Sequence, residues 1–326
     1  MSISEELLSK ISNTYEIQAI SAQLIYDGVN KILQISDNTE TFILKLFKKI
    51  KHSKSRISFE RTILTHLNSH DINCIHVITP NANKEQTYEF NGKTYYGLMT
   101  RLCLGNQYSP HNKDMHCFLF GKALFRLHEC PTESFTNPKF NTSNIHHLMR
   151  SLKKDNSSPA VQLRKTITNL FDNISLSLPP LAPPFEQCIC HGDAWPGNAL
   201  YFKDRCKLID FEHARLADPA LDIATFLWWL SGAELNESKK LTAWENFTQG
   251  YGESIEPRIN EHTSTLIKTI QLRSLVFIHN NILLTEEILE HSLQQTSDLL
   301  HKTNFINQDP SLSSLWINLS KTNYPR

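Results

Sequence analysis

The stretch CICHGDAWPGNALYFKDRCKLIDFEHARLADPALDIATF, from Cys188 to Phe226, carries four polar residues in unusual places: Asp193, Asn198, Asp210 and Asp222. Aspartate is a poor strand residue, yet two of these aspartates follow short apolar runs that are typical of strands. An ionised aspartate is also costly to bury unless a partner neutralises it. The stretch is therefore either an acidic surface loop between strands or a segment that holds a cation.

The composition is that of a globular chain long enough, at 326 residues, for two lobes with separate cores. Hydrophobic residues make up 40% of the chain and charged residues 20%, which is ordinary for a globular protein. Lys plus Arg and Asp plus Glu both number 33, so the chain lacks the basic surplus that binds nucleic acid or anionic membranes. We expect neither of these as a partner.

The seven cysteines are odd in number and lack a disulfide-framework spacing, which indicates a reducing compartment. The run Cys188–His191 (CICH) permits two interpretations, a zinc site or small apolar residues on one side of a strand. The strand is favoured because C-x-C-H is not a usual zinc spacing. The N-terminus has no signal-peptide pattern, and the longest apolar run, Ile223–Leu230, is too short to span a bilayer, so we expect a cytoplasmic protein.

The N-terminal part of the chain shows strand patterns. Residues 28–35 alternate apolar with polar, and a turn at 37–40 leads into a second strand, 41–47. Residues 54–67 then follow helical spacing. Asn91-Gly92 stands between two aromatic-rich runs and predicts a hairpin, because both central residues of such a turn need positive φ.

After Leu102 the pattern changes to that of helices, of which Cys117–Glu129 is the most periodic. We therefore predict an α+β fold of two lobes. The small N-terminal lobe, 1–102, would combine an antiparallel sheet with a helix, and the larger C-terminal lobe, 103–326, would be mainly helical. The hinge between them is expected at 100–107.

The opening stretch has the ligands for a magnesium ion. The motif HGD-x4-N places Asp193 and Asn198 on one loop after an apolar strand, and Asp210 ends a second strand, 207–209, after a turn near Asp204. If the two strands pair, Asn198 and Asp210 lie at the same end. One amide and one carboxylate, without Cys or His, suit Mg²⁺. Asp193 is then left to accept a proton or to orient a hydroxyl.

Phosphoryl transfer needs such a set of residues together with a lysine on the nucleotide phosphates. Lys45 stands alone in the middle of the apolar run TFILKLF. A buried lysine in mid-strand is costly, so we expect a partner for it, and Glu60 on the following helix is the one we predict. A solvated strand lysine is the alternative interpretation of Lys45.

The motifs HGDAWPGN, LIDFE and DPALDIA resemble those of the aminoglycoside phosphotransferase and choline kinase-like kinases in order and spacing. In that family a catalytic H-G-D-x4-N loop precedes a short strand ending in I-D-F or I-D-W, and D-P-A-x-D follows. Weaker matches are ILK at Lys45, FER at Glu60, LMTRLCLG at the hinge and GKALFRLHE. The resemblance covers most of residues 20–255 and implies a bilobal protein kinase-like fold.

The resemblance also implies a function for each matching residue. Asp193 would be the catalytic base, and Asn198 and Asp210 would be the Mg²⁺ ligands. Lys45 would contact the phosphates of ATP, with Glu60 holding it in place. The remaining assignments are His191 and Asp222 bracing the catalytic loop, Gly28 and Asn30 in a turn over the phosphates, and Thr100 and Leu102 beside the adenine. The assignment of Gly28 rests on its position between two strands, and an ordinary turn glycine explains it nearly as well, since YDGVNKI matches neither phosphate-loop pattern.

The acceptor of the phosphate is expected to be a small molecule. Gly192 stands where protein kinases carry Arg, and only about a dozen residues separate Asp210 from Asp222, too few for a peptide platform. The possible acceptor contacts are Glu212, Asp218, Trp195 and Trp228. Carboxylates and aromatic rings suit a cationic amino alcohol or aminosugar, of the choline, ethanolamine or aminoglycoside type. The alternatives are that Trp195 packs under the loop and that Trp228 belongs to a helix core.

The motifs leave further alternatives. Thiamine, homoserine and sugar kinases share them. A pseudokinase would bind nucleotide without transfer, although the intact set of Lys45, Asp193, Asn198 and Asp210 argues against it. A metal-dependent hydrolase could use the same carboxylates on water, and stabilisation by ATP would distinguish it from a kinase. The favoured interpretation is an ATP- and Mg²⁺-dependent kinase; the motifs predict no oligomeric state.

Overall fold

The computed structural model describes residues 4–49, 54–81, 86–133, 135, 145–177, 187–252, 255 and 263–306. The chain forms two compact units. The first comprises Met1–Gln107 with Ala199–Ala214, and the second comprises Tyr108–Asn198 with Arg215–Arg326. The assignment of nucleotide binding to one lobe and catalysis to the other, with a hinge at 100–107, stays a prediction.

The first unit is built on a five-stranded sheet with the strand order β1-β2-β3-β5-β4 and antiparallel pairing throughout. Its strands are β1 (Ser21–Asp27), β2 (Lys31–Ser36), β3 (Thr41–Lys48), β4 (Thr87–Phe90) and β5 (Lys93–Arg101). In β3 every second side chain, Phe42, Leu44 and Leu46, is buried, because successive residues of a strand face opposite sides. Helix α1 (Glu5–Tyr15) supplies Leu7 and Ile11 to the same core.

The edge of this sheet differs from the sequence prediction. The strand predicted at 28–35 begins only at Lys31, because residues 28–30 form the bend between β1 and β2. Strand β1 escapes sequence prediction because most of its side chains are exposed and the register shifts between Leu24 and Tyr26. The strand predicted at 41–47 is confirmed by β3.

The other local predictions for the first unit are confirmed. Helix α2 (Lys54–Ser69) contains the predicted helical span. Asn91 and Gly92 connect β4 to β5 with φ values of 50° and 68°, and Phe90 pairs with Lys93 across the turn. Two successive left-handed residues give the turn a twist that matches the twist of the strands it joins.

A second hairpin of the first unit comes from a distant part of the chain. It is formed by β7 (Ala199–Phe202) and β8 (Arg205–Leu208), with Ala199 opposite Leu208 and a left-handed Lys203 in the turn. The backbone of Leu208 is anchored to the segment after α2, donating to the carbonyl of Asn73 (3.0 Å) and accepting from the amide of Ile75 (3.1 Å). Along the chain, this hairpin begins directly after Asn198 and ends two residues before Asp210.

The second unit is mainly helical. Its helices are α3 (Lys113–His128), α4 (Ile145–Arg150), α5 (Ser158–Ser177), α6 (Ala220–Gly232), α7 (Glu237–Tyr251), α8 (Thr263–Asn281) and α9 (Glu286–Ile306). Two short strands, β6 (Cys188–Cys190) and β9 (Arg215–Ala217), pair antiparallel. The helical character predicted beyond Leu102 and the helix predicted at Cys117–Glu129 are confirmed, whereas the three-residue strand β9 is too short to show a pattern.

Aromatic rings and close backbone contacts hold the helices of the second unit together. Phe226 of α6 stacks on Phe247 of α7 at a centroid distance of 3.9 Å. Helices α3 and α7 touch backbone to backbone, because a Cβ at Gly121 would lie 2.2 Å from the carbonyl oxygen of Phe247. Among the helices that the structure describes, none has both the length and the hydropathy required to cross a bilayer.

Candidate functional site

Lys45 of the first unit lies in the middle of β3 and forms two ion pairs. Its ammonium is 2.5 Å from Oδ1 of Asp210 and 2.8 Å from Oε2 of Glu212. Burial alone would lower the pKa of Lys45, but the negative charges of Asp210, Glu212 and Glu60 outweigh burial and hold the pKa above its usual value. Lys45 therefore carries its charge, and these four residues are called the Lys45 cluster below.

Glu60 of α2 is the buried member of the Lys45 cluster. Its side chain is 2% exposed, and no described residue donates a hydrogen bond to Oε2. Burial, reinforced by the charges of Asp210 and Glu212, raises the pKa of Glu60 to about 8 against the opposing attraction of Lys45. The ion pairs of Lys45 among the described residues are with Asp210 and Glu212, and Glu60 also acts on its pKa. That Glu60 holds Lys45 in place for ATP stays a prediction.

The raised pKa of Glu60 predicts an unusual pH dependence for the nucleotide-free protein. Between its usual value of 4.5 and about 8, the folded chain holds a proton on Glu60 that the unfolded chain has released. The free energy of unfolding should therefore fall as pH rises through this range, by up to about 1.4 kcal/mol per pH unit. Glu60→Gln should remove this slope, as measured by urea unfolding at several pH values.

Exposed Glu89 of β4 provides the matched control for this measurement. Glu89→Gln makes the same chemical change outside the Lys45 cluster and should leave the slope in place. An identical slope in the wild type and in Glu60→Gln would show that Glu60 is not the group responsible.

Asp210 has a left-handed backbone, with φ 65° and ψ 62°. Aspartate is one of the few residues besides glycine that adopt this conformation, and such residues cluster at functional sites. A short 3₁₀ turn, Phe211–His213, follows, and the ring of Phe211 is fully buried. The buried ring and the left-handed residue together turn the side chains of Asp210 and Glu212 toward Lys45.

The turn between β1 and β2 is linked to the Lys45 cluster. Nδ2 of Asn30 donates to Oε2 of Glu212 at 2.9 Å. The amide of Gly28 donates to the carbonyl of Asn30 at 3.2 Å, and Gly28 is not among the glycines with a left-handed backbone. These contacts are those of an ordinary turn glycine, and a phosphate-covering function for Gly28 and Asn30 stays a prediction.

The residues predicted beside the adenine lie at the end of β5. Thr100 is buried and pairs with Ile43 of β3, and the amide of Leu102 donates to the carbonyl of Thr41 at 2.9 Å. The side chain of Leu102 is 40% exposed and that of Leu104 is 74% exposed. Exposed apolar side chains next to a strand end are suited to cover a flat aromatic base, and adenine binding by Thr100 and Leu102 stays a prediction.

The HGD loop of the second unit is closed by Asn198. Its Nδ2 donates to the backbone oxygen and to Oδ2 of Asp193, both at 2.8 Å. Both partners can only accept, so this end of the side-chain amide must be the nitrogen. No hydrogen bond to Oδ1 of Asn198 is found among the described residues, and an amide oxygen is one of the oxygen ligands that Mg²⁺ accepts.

Asp222, at the start of α6, binds the backbone of the HGD loop. Its two oxygens accept from the amides of His191 (2.7 Å) and Gly192 (2.8 Å), and Oδ2 also accepts from Nε2 of His128 (3.0 Å). Burial alone would raise the pKa of Asp222, but the hydrogen bond and charge of His128, with smaller contributions from His191 and Gly192, lower it below its usual value. A buried carboxylate with this many donors stays ionised and holds the loop in one geometry.

Three further residues at this loop are not found by sequence reasoning. Nδ1 of His128 lies 2.6 Å from the hydroxyl of Tyr251, which extends the Asp222 contacts to α7. Arg273 of α8 donates from Nη1 to the carbonyl oxygen of Gly192 at 3.1 Å. The motif GKALFRLHE contains His128 and could have indicated it, whereas nothing in the sequence around Tyr251 or Arg273 connects them to the loop.

The residues predicted to contact the acceptor lie in several places. Oδ1 of Asp218 accepts from the amide of Ala220 at 2.8 Å, at the start of α6. The indole of Trp228 donates to Oε1 of Gln271 at 2.7 Å, which ties α6 to α8. The ring of Trp195 folds over Gly197, where a Cβ would lie 2.1 Å from it. Glu212 belongs to the Lys45 cluster. Acceptor binding by any of these residues stays a prediction.

The cysteines before the loop do not form a convincing metal site. Ligand atoms of Cys188, Cys190 and His128 lie within 4.8 Å of one another, and all three residues are buried. However, both ring nitrogens of His128 already have partners, Tyr251 and Asp222. Burial raises the pKa of the Cys190 thiol well above its usual value, which disfavours the thiolate that a metal requires. The contacts support the interpretation of the cysteines as buried strand residues.

Comparison with family models gives a match over most of the chain. Residues 27–253 match the model described as the phosphotransferase enzyme family. No curated protein matches the sequence. The matched segment contains the Lys45 cluster, the HGD loop and Asp222.

Solved structures with a similar fold include several small-molecule kinases. Amicoumacin kinase hAmiN, in complex with AMP-PNP, Ca²⁺ and Ami, shares 15% identity, with 92% of this chain and 94% of that chain covered and a TM-score of 0.70. A microcompartment-associated aminopropanol kinase shares 13% identity, with 95% of this chain and 100% of that chain covered and a TM-score of 0.65. A Plasmodium vivax ethanolamine kinase shares 16% identity, with 86% of this chain and 81% of that chain covered and a TM-score of 0.57. The predicted α+β, kinase-like fold class is thereby confirmed.

Proposed function

Because the chain belongs to the phosphotransferase enzyme family, we propose that it is a kinase that transfers the γ-phosphate of ATP to a hydroxyl of a small molecule in a Mg²⁺-dependent reaction. The observation that carries the proposal is the charge imbalance of the Lys45 cluster. One ammonium faces the two carboxylates of Asp210 and Glu212, and the buried Oε2 of Glu60, whose pKa is raised to about 8, has no partner among the described residues.

This imbalance fits a divalent cation bound together with ATP. Asp210 and Asn198 would hold the ion, because Mg²⁺ takes one or two protein oxygens and completes its shell with water and phosphate oxygens. Bound Mg²⁺ neutralises charge on the transferred phosphoryl group. A cation on Asp210 would also weaken its ion pair with Lys45, so that the ammonium becomes available to the phosphates of ATP.

The other assigned residues would serve the nucleotide or the reaction. Thr100 and Leu102 would bind the adenine, and Gly28 and Asn30 would lie over the phosphates. In the transfer step the acceptor oxygen forms a bond to the γ-phosphorus, while the bond from that phosphorus to the β–γ bridging oxygen breaks and ADP leaves. The hydroxyl proton moves to the carboxylate of Asp193, whose loop is held in place by Asp222.

For the acceptor, the sequence favours a cationic amino alcohol or aminosugar. The names of the aminopropanol and ethanolamine kinases among the similar structures are in keeping with an amino alcohol. Thiamine, homoserine and sugars are the alternatives. Acceptor choice differs widely within one fold, so likeness of fold alone does not select among these compounds.

The test is transfer from ATP and Mg²⁺ to a panel of hydroxyl compounds, with Asp193→Ala as the control. The panel comprises choline, ethanolamine, thiamine, homoserine, methylthioribose, simple sugars and aminoglycosides. We expect transfer to at least one member and its loss in the control. ATP that stabilises the protein against heat without any transfer would indicate a nucleotide-binding scaffold. Absence of stabilisation by ATP would contradict the proposed nucleotide site at Lys45.

A further inference from the structure

Arg273 of α8 is a half-buried cation at the HGD loop whose charge is not balanced. Its Nη1 donates to the carbonyl oxygen of Gly192 at 3.1 Å. Among the described residues this is its one hydrogen-bond partner, and none of their carboxylates lies at ion-pair distance from it. A guanidinium has five N–H groups, so most of its donors remain available at this position.

The geometry of Gly192 places the guanidinium beside the catalytic residue. Gly192 has a left-handed backbone, with φ 76°. Its amide donates to Oδ1 of Asp222 and its carbonyl oxygen accepts from Arg273, so hydrogen bonds fix both backbone groups of this residue. Asp193 is the next residue, and consecutive Cα atoms are about 3.8 Å apart. A molecule whose hydroxyl lies at Asp193 is therefore within reach of Arg273.

The carboxylates that could attract a cationic acceptor have other partners. Glu212 binds Lys45 and Asn30 in the first unit, and Asp218 binds the amide of Ala220. The guanidinium of Arg273, next to Asp193, is by contrast a charge without an opposite charge at ion-pair distance among the described residues. An unbalanced, half-buried guanidinium is suited to bind a carboxylate or phosphate, which it can contact with two parallel hydrogen bonds.

We propose that Arg273 binds an anionic group, a carboxylate or a phosphate, on the acceptor whose hydroxyl is phosphorylated. The inference rests on the proposed kinase function, and in place of the purely cationic amino alcohol or aminosugar that the sequence favours it selects hydroxyl compounds that carry a negative charge. It is compatible with an amine on the same molecule, as in a hydroxy amino acid. The competing explanation is that Arg273 only tethers the backbone of the loop through Gly192.

The test compares acceptors that differ only by the anionic group. The three pairs are serine with ethanolamine, homoserine with 3-aminopropanol, and glycerol 3-phosphate with glycerol. For each pair, kcat/KM is measured for the wild type, Arg273→Gln and Arg273→Lys. The quantity of interest is the ratio of the anionic member to its partner, because loss of a tether would lower both values equally and leave the ratio unchanged.

We expect the wild type to prefer the anionic member of at least one pair. Arg273→Gln should lower that ratio about 10- to 100-fold, mainly through KM, since one charged hydrogen-bonded contact is lost. Arg273→Lys should retain part of the preference because it keeps the charge. The matched control is Arg150→Gln on α4, an exposed arginine that donates to the His146 carbonyl of its own helix, and it should leave the ratio unchanged. A ratio that falls in Arg273→Gln for the serine and homoserine pairs identifies the anion as a carboxylate, and a ratio that falls for the glycerol pair identifies it as a phosphate.

Four results would overturn the inference, and they are distinguishable. Preference of the wild type for the uncharged or purely cationic member of every pair would refute it while leaving the kinase function intact. A ratio unchanged in Arg273→Gln would mean that Arg273 is only a tether. A raised KM for ATP with an unchanged ratio would place the guanidinium on the nucleotide instead. Absence of transfer to all six compounds and to the wider panel would contradict the proposed function and this inference with it.

Discussion

Replacement of Asp193 by Asn is expected to lower kcat for phosphate transfer about 10²–10⁴-fold. The amide has nearly the shape of the carboxylate. Its oxygen can still accept the hydrogen bond from Nδ2 of Asn198, which lies 2.8 Å from Oδ2 of Asp193 in the wild type. The HGD loop should therefore keep its geometry. What the amide cannot do is take the proton of the acceptor hydroxyl, so kcat should fall while the KM for ATP stays nearly unchanged.

The matched control for Asp193 is Asp204, an exposed aspartate in the turn of the β7–β8 hairpin. Asp204→Asn makes the same chemical change and should leave kcat within about twofold of the wild type, as surface substitutions usually do. The melting temperatures of both variants should lie close to that of the wild type. Unchanged kcat in Asp193→Asn would show that another group accepts the proton.

The second large effect is expected for Asp210→Asn. This carboxylate forms the shortest ion pair of Lys45, at 2.5 Å, and is the proposed charged ligand of Mg²⁺. Its loss should lower kcat at saturating ATP by about 10²–10³-fold, because stabilisation of charge in the transition state is lost. The Mg²⁺ concentration for half-maximal transfer should also rise, since an amide oxygen binds the ion less tightly than a carboxylate.

A titration of transfer rate against Mg²⁺ at fixed ATP measures both effects of Asp210→Asn. Asp27→Asn on β1 is the control, because Asp27 is exposed and pairs with Lys31 outside the Lys45 cluster. It should reproduce the wild-type titration. An Asp210→Asn variant with the wild-type Mg²⁺ dependence would exclude Asp210 as a ligand, and Glu212 would then be the next carboxylate to test.

Elements with strong local patterns were predictable from the sequence. Strand β3 alternates between buried and partly exposed residues, and the hairpin at Asn91-Gly92 follows from the two left-handed turn residues. Strand β1 lacks such a pattern, because most of its side chains face solvent and its register shifts between Leu24 and Tyr26. Strand β9 has only three residues and exists through its pairing with β6.

The site was predictable where its residues share one stretch and not where they meet across the chain. Asp193, Asn198 and Asp210 stand within a short segment of characteristic spacing. Lys45 meets Asp210 across 165 positions, and Arg273 meets Gly192 across 81. No periodicity of the sequence records such pairings, since they depend on how the elements pack. The sequence therefore pointed to Glu60 as a partner of Lys45 but gave no indication of the ion pairs with Asp210 and Glu212.

The most direct test of the proposed kinase function is to follow the γ-phosphate of ATP by ³¹P NMR with Mg²⁺ and the hydroxyl panel present. We predict a new phosphomonoester resonance that grows in step with ADP, requires one of the hydroxyl compounds, and grows about 10²–10⁴-fold more slowly with Asp193→Asn. Release of inorganic phosphate at the same rate with and without the panel, and no phosphomonoester, would contradict the proposal and indicate a hydrolase.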